Sequence, residues 1–234
     1  ELKIPIFLYE YSTLKPDRKN LATVRSGEFE GMAEKLKSSE WKPDFGPAKP
    51  HATAGVTAIG ARNFLIAYNV NLNTKDKKIA TDIALDIREQ GRNKRDANGK
   101  FIWDKNGIPI KVPGKLKACK AVGWYIDEYS QAQVSINLTN FNETPPHLAF
   151  EESREQARKR GARVSGSELV GLIPLDAMLS AGKYYLQKQQ RSTGIPTNDI
   201  IHIAVKSMGL DDLSSFDPNE KIIEYRIRDL YGPL

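Results

Sequence analysis

The chain of 234 residues holds one cysteine, three histidines, three methionines and three tryptophans. A lone cysteine excludes an intrachain disulfide and any zinc site built on cysteine pairs. No segment approaches the roughly 20 consecutive apolar residues of a membrane-spanning helix, so no membrane partner is expected. The opening apolar run, Ile4 to Tyr9, is too short for a secretory leader and has no small-residue cleavage site after it. No metal cluster is visible in the sequence, and none is expected. These absences together point to a reducing, cytoplasmic setting. Without a leader, the sequons at Asn137 and Asn142 carry no weight. Cys119 lies between Lys117 and Lys120, which would lower its pKa; an inert thiol is the plainer reading.

What the chain does have is charge. Its 35 Lys and Arg outnumber 29 Asp and Glu, for a formal +6, and 40% of residues are apolar. That composition fits an ordinary globular protein whose partners are anions: nucleic acid, an acidic membrane surface or small polycarboxylates.

Periodicity supplies the organisation. Phe64 to Leu72 alternates, with Phe64, Ile66, Tyr68, Val70 and Leu72 on one side, which predicts a strand. Thr74 is placed to cap a helix over Ile79, Ile83 and Ile87, with Gly91 as its stop. Ala121 to Glu128 and Ala132 to Leu138 read as a hairpin. A helix follows from Thr144 and Pro145 to Gly161, and a fourth strand lies within Arg163 to Ile173. Strand, helix, strand, strand, helix, strand is the order of a ferredoxin-like α+β sandwich.

Two further helices are expected, over Pro174 to Gln190 and Asn198 to Met208, and Lys221 to Arg228 fits a strand or a helix. Between Arg92 and Lys117 sits an ordered polar excursion with the turn dipeptides Asn98-Gly99 and Asn106-Gly107. The first sixty residues offer one strand and a helix or two, too little to enclose a core. They read as the tail of another domain whose beginning is absent.

In that sandwich two helices cover one sheet face, and the other carries Asn69, Asn71, Gln133, Ser135 and Asn137. Such a face is either solvated or a polar ligand surface.

Several blocks also resemble, in order, segments of the glutamate formimidoyltransferase family: Arg25 to Leu36, Glu40 to Pro47, Gly60 to Leu72, Arg88 to Arg92, Gly123 to Tyr125, Ala132 to Leu138, Gly166 to Leu175 and Phe216 to Tyr225. The likeness is interrupted by the excursion and around Gln187 to Asp199. This resemblance implies transfer of a formimino group from N-formimino-L-glutamate to tetrahydrofolate, in histidine degradation. It implies two ferredoxin-like subdomains, here 1–62 and 63–234, with a folate tunnel between them and a homodimeric assembly.

The family's folate-binding stretch maps onto Gly46, Pro47, Ala48, Lys49, Pro50, His51, Ala52, Thr53, Ala54 and Gly55. A Pro/Gly-rich interdomain connector is the duller account of the same residues. Arg62, Asn69, Asn71, Arg88, Arg92, Gln133 and Ser135 are candidates for the substrate tunnel. Arg88, Arg92 and Lys94, at a helix end, serve equally well to complement its dipole.

The family's catalytic histidine belongs upstream of the equivalent of Glu1. No catalytic residue is therefore carried over, and the chain alone is expected to be inactive. Two other classes stand beside this: a basic ferredoxin-like RNA-binding module, and a non-catalytic structural partner. Stacking aromatics are missing from the polar face of the third strand, which speaks against nucleic acid.

Overall fold

The computed structural model describes residues 2–232 and divides the chain into two compact units, the first ending at Asn63 and the second beginning at Phe64. In the first unit, β1 (Ile6–Glu10) is followed by the short helices α1 (Leu21–Val24) and α2 (Glu28–Lys35). A second strand, β2 (Thr57–Ala61), lies parallel to β1 with Ile6 opposite Thr57. The sequence hid β2 because Thr57-Ala58-Ile59-Gly60-Ala61 has one large apolar residue and a glycine, so no alternation shows. The apolar core is small: Phe7, Val24, Met32 and Leu36.

Polar groups brace this unit. Arg18 is 1% exposed, ion-paired to Asp44 at 2.8 Å, and donates to the carbonyls of Glu40 and Lys42 at 2.9 and 2.6 Å. Its guanidinium also lies over the rings of Phe7 and Trp41. Lys35 donates to the carbonyls of Thr23, Val24 and Ser26, closing the corner between α1 and α2.

The second unit is a mixed α+β structure. It begins with β3 (Ile66–Leu72) and α3 (Lys77–Ile87), followed by the short pair β4 (Arg92–Asn93) and β5 (Lys111–Val112). Next come β6 (Cys119–Ile126), β7 (Gln131–Leu138), α4 (Pro146–Arg158) and β8 (Val164–Val170). Then α5 (Leu175–Lys188), α6 (Thr197–Met208), α7 (Pro218–Lys221) and α8 (Ile223–Tyr231) close the unit. The sheet is four-stranded and antiparallel in the order β6-β7-β3-β8.

Ile66, Tyr68 and Val70 face Leu138, Ile136 and Val134 across the β3–β7 ladder, and all are buried. Over them lie α3, through Ala80, Ile83, Ala84 and Ile87, and α4, through Ala149, Phe150 and Ala157. Gly123 permits the close seating of α3: a Cβ there would stand 2.1 Å from the Thr81 nitrogen. Likewise α5 meets α6 at Gly182, where a Cβ would stand 2.1 Å from the Ile200 carbonyl oxygen.

Some boundaries move. Phe64 lies outside β3 and is exposed, since no neighbouring strand reaches it. The cap of α3 is Asp76, whose carboxylate accepts from Lys78 N–H; Thr74 instead turns the preceding residues by accepting from Asp76 N–H. The segment from Lys221 to Arg228 is helical apart from Ile222, which forms a bridge with Ile173.

The excursion after α3 is a small knot of three extended segments. Lys94 N–H donates to Ile110 C=O, Ile110 N–H to Ile102 C=O, and Ile102 N–H to Lys94 C=O, closing a ring across all three. Both expected turns form at an eight-residue spacing. Asp96 Oδ1 accepts from the amides of Asn98 and Lys100, and Asp104 Oδ1 from those of Asn106 and Ile108. Gly99 and Gly107 take the positive φ these turns require, +79° and +74°.

Candidate functional site

In the first unit, the stretch from Gly46 to Gly55 is a shaped loop. Asp44, just before it, accepts from Leu8 N–H and from Arg18, which ties the loop's entry to β1. Burial pulls the Asp44 carboxyl upward. The Leu8 amide and the Arg18 and Lys15 charges outweigh that and hold it below the usual carboxylate range. Gly46 has φ +81°, and a Cβ there would strike the Ile4 carbonyl oxygen at 2.4 Å.

His51 and Gly55 exchange backbone hydrogen bonds of 2.8 and 2.9 Å, and His51 Nδ1 accepts from the amides of Thr53 and Ala54. The imidazole therefore stabilises its own loop through Nδ1. Thr53, Ala54 and Gly55 line a cavity of about 400 Å³ with Arg25, Phe29 and Met32. Gly55 lies against the Phe29 ring, which a Cβ would approach to 3.2 Å. The cavity thus has one flat apolar wall, one arginine and, at Glu28, one carboxylate. Pro47, Ala48 and Lys49 are exposed outside it, and Arg62, at the end of this unit, is exposed as well.

In the second unit, the sheet face opposite α3 and α4 carries the amides that the alternation placed there. They are not a solvated row. Asn69 is 4% exposed, and Asn71 and Gln133 are fully buried. Trp124 Nε1–H donates to Gln133 Oε1 at 3.0 Å, Gln133 Nε2 to Asn71 Oδ1 at 2.7 Å, and Asn71 Nδ2 to Asp212 Oδ2 at 2.9 Å. An indole only donates and a carboxylate only accepts, so both amide orientations between them are determined. Beside this relay, Asn69 donates to Glu168 at 3.1 Å.

Ser135 is half-buried and Asn137 exposed on the same face, with Val122, Trp124 and Val170 exposed around them. Sequence reading missed Trp124, Glu168 and Asp212. Register with Gln133 and Asn69 would have placed the first two. Asp212 follows α6 and reaches Asn71 only because Gly166 leaves room: a Cβ at Gly166 would stand 2.4 Å from the Asp212 Cβ.

Arg88, Arg92 and Lys94 do not join that face. They lie with Lys78 and Asp82 in a separate groove between the outer side of α3 and the knot. Arg92 is engaged by Asp82 at 3.5 Å and Asp86 at 2.5 Å, and donates to the Asp82 carbonyl at 2.8 Å. It secures the knot to the helix side rather than its dipole. Arg88 Nε donates to Gly91 C=O.

Of the histidines, His147 is buried and stacks on Tyr184 with ring centroids 4.5 Å apart. Burial pushes its pKa down to about 4 against the pull of Glu151, so it is neutral near pH 7. His202 is exposed on α6. Cys119 is buried, and burial with the nearby Glu89 charge pushes its thiol up to about 12; the flanking lysines do not activate it.

Two family models cover the chain in succession. The formiminotransferase domain, N-terminal subdomain, matches residues 1–62, and the formiminotransferase domain matches residues 67–228. The formimidoyltransferase-cyclodeaminase of Dictyostelium discoideum is 44% identical over 230 residues, 98% of this chain and 39% of that protein. The same-named protein of Mus musculus is 43% identical over 230 residues, with the same shares covered. The glutamate formimidoyltransferase of Streptococcus pyogenes serotype M1 is 45% identical over 187 residues, 80% of this chain and 55% of the relative. The chain thus spans about two fifths of the first two relatives' length.

Proposed function

We propose that this chain, which belongs to the formiminotransferase family, forms part of a glutamate formimidoyltransferase that moves the formimino group of N-formimino-L-glutamate to tetrahydrofolate. The observation that carries the reading is the successive match to both family models, joined by 45% identity to a glutamate formimidoyltransferase. Residues 1–62 are read as the end of the N-terminal subdomain and 63–234 as a ferredoxin-like C-terminal subdomain. The β-α-β-β-α-β order and the strand order β6-β7-β3-β8 support the latter.

In the reaction, N5 of tetrahydrofolate attacks the formimino carbon, the bond from that carbon to the glutamate nitrogen breaks, and the nitrogen leaves with a proton. Bringing two anionic substrates into attack geometry needs cations and oriented amides. The loop from Gly46 to Gly55 is assigned to folate, with Phe29 as a stacking wall and Arg25 or Lys49 toward a carboxylate. The sheet face is assigned to a polar substrate, offered through half-buried Ser135 and exposed Asn137 and Trp124, with the buried relay from Trp124 to Asp212 holding that face in place.

None of His51, His147 and His202 is assigned the acid–base role. His51 Nδ1 is occupied, and His147 holds a proton too weakly. The test uses the purified protein carrying this chain: a folinate titration by calorimetry, and formation of formiminotetrahydrofolate from the two substrates. Saturable folinate binding that weakens at least tenfold in Phe29→Ala is expected. An intact isotherm in that variant removes the loop from the site, and no folate binding at all overturns the assignment.

A further inference from the structure

The basic character of this chain is local. Residues 92–117 contain eight Lys and Arg and two Asp, a net of +6, which is the formal charge of the whole sequence. The remainder is neutral. Of the eight cations only Arg92 makes an ion pair among the described residues. The two carboxylates, Asp96 and Asp104, are bound to turn amides. The knot that carries these charges is ordered by its ring of backbone hydrogen bonds, so the cations are displayed from a defined frame.

Aromatic rings stand among them. Phe101 and Trp103 are 39% and 55% exposed, with centroids 6.4 Å apart, and the Arg95 guanidinium lies 4.1 Å from the Phe101 centroid. Beside the knot runs a groove of about 770 Å³ whose lining includes Arg88, Lys94, Arg95 and Phe101, with Lys78 and Arg92 paired there to Asp82.

We propose that this knot and groove bind a single-stranded nucleic acid, its phosphates along the groove cations and an unstacked base on Trp103. A concave basic track with adjoining exposed rings is the arrangement that holds such strands. The knot also exposes Ile108, Ile110 and Val112, but a bilayer would need the apolar groups on one convex face, and Val112 lines the groove. Phe101 lines it as well, under the Arg95 guanidinium. The sequence-based expectation of no nucleic acid concerned the sheet face, and the knot is a different surface. The proposal does not depend on the transferase reading.

The test is fluorescence anisotropy of a labelled 12-nucleotide oligouridylate with the purified protein at 50 and 200 mM salt. Contact with about four phosphates predicts a loss of affinity of about 50-fold across that range. Arg95→Ala should lower the salt slope by about 0.7. Trp103→Ala should weaken binding at least about fivefold and leave the slope unchanged. Circular dichroism checks that both variants fold; Arg95→Lys, which keeps the charge, should restore the slope. The proposal is overturned by no salt-dependent binding below 100 μM, by Trp103→Ala binding as wild type, or by phosphatidylserine vesicles capturing a protein that ignores the oligonucleotide.

Discussion

Replacing Asp44 with alanine tests how the candidate folate loop is held. Arg18 is 1% exposed and Asp44 16%, so the change strands a buried guanidinium with only the Glu40 and Lys42 carbonyls, and orphans the Leu8 amide. Breaking such a pair costs about 3–5 kcal/mol, and a buried unpaired amide about 1–3 kcal/mol. Water entering beside position 44 offsets part of this, leaving about 4 kcal/mol. A unit with four buried apolar side chains in its core has little to set against that.

The first unit should therefore open while the second stays closed. Hydrogen exchange read by mass spectrometry should show peptides over Ile6 to Glu10 and Glu40 to Gly46 exchanging about 10³-fold faster, since each factor of ten is about 1.4 kcal/mol. Asp44→Asn keeps an acceptor and should cost about 2 kcal/mol. The pH dependence has a definite sign. The folded carboxyl of Asp44 lies below its ordinary value. Its contribution is thus complete above the unfolded pKa near 4 and is lost as pH falls through the lower folded value. Less than fivefold faster exchange in Asp44→Ala would refute the bracing role of the pair.

Asn71→Asp sets a second carboxylate against Asp212, where the amide now donates at 2.9 Å. One of the two pKa values must then rise, so the variant should gain stability relative to wild type as pH falls from 7 toward 5, seen as a narrowing of the Tm difference between the two. Wild-type stability should decline as pH falls from about 6.5 toward 4, because buried His147 stays neutral to about 4. His147→Phe should remove about 2 kcal/mol of that pH dependence, measured by urea titration at pH 7 and 4.5. Gly123→Ala forces a Cβ into the Thr81 backbone nitrogen and lifts α3 from the sheet. A loss of about 3 kcal/mol or more is expected, and an unchanged melting curve would contradict the packing.

Local chemistry carried far in this chain. Alternation in Ile66 to Leu72 and Gln131 to Leu138, and the fourfold spacing of Ile79, Ile83 and Ile87, determine strands and a helix because the side-chain period alone decides which face meets the core. The Asn-Gly dipeptides of the knot likewise announce their turns, since only glycine takes that φ cheaply. Composition gave the charge but not its place. Pairings between residues far apart in the chain were settled by tertiary structure alone. The strand β2 exists because β1 offers it a ladder, not because its own residues favour extension. Asp212 becomes the anchor of the Asn71 relay only through the bare backbone at Gly166. Arg88 and Arg92, beside Asn69 and Gln133 in the sequence-based site, part from them because helix α3 puts a whole layer of the fold between the two groups.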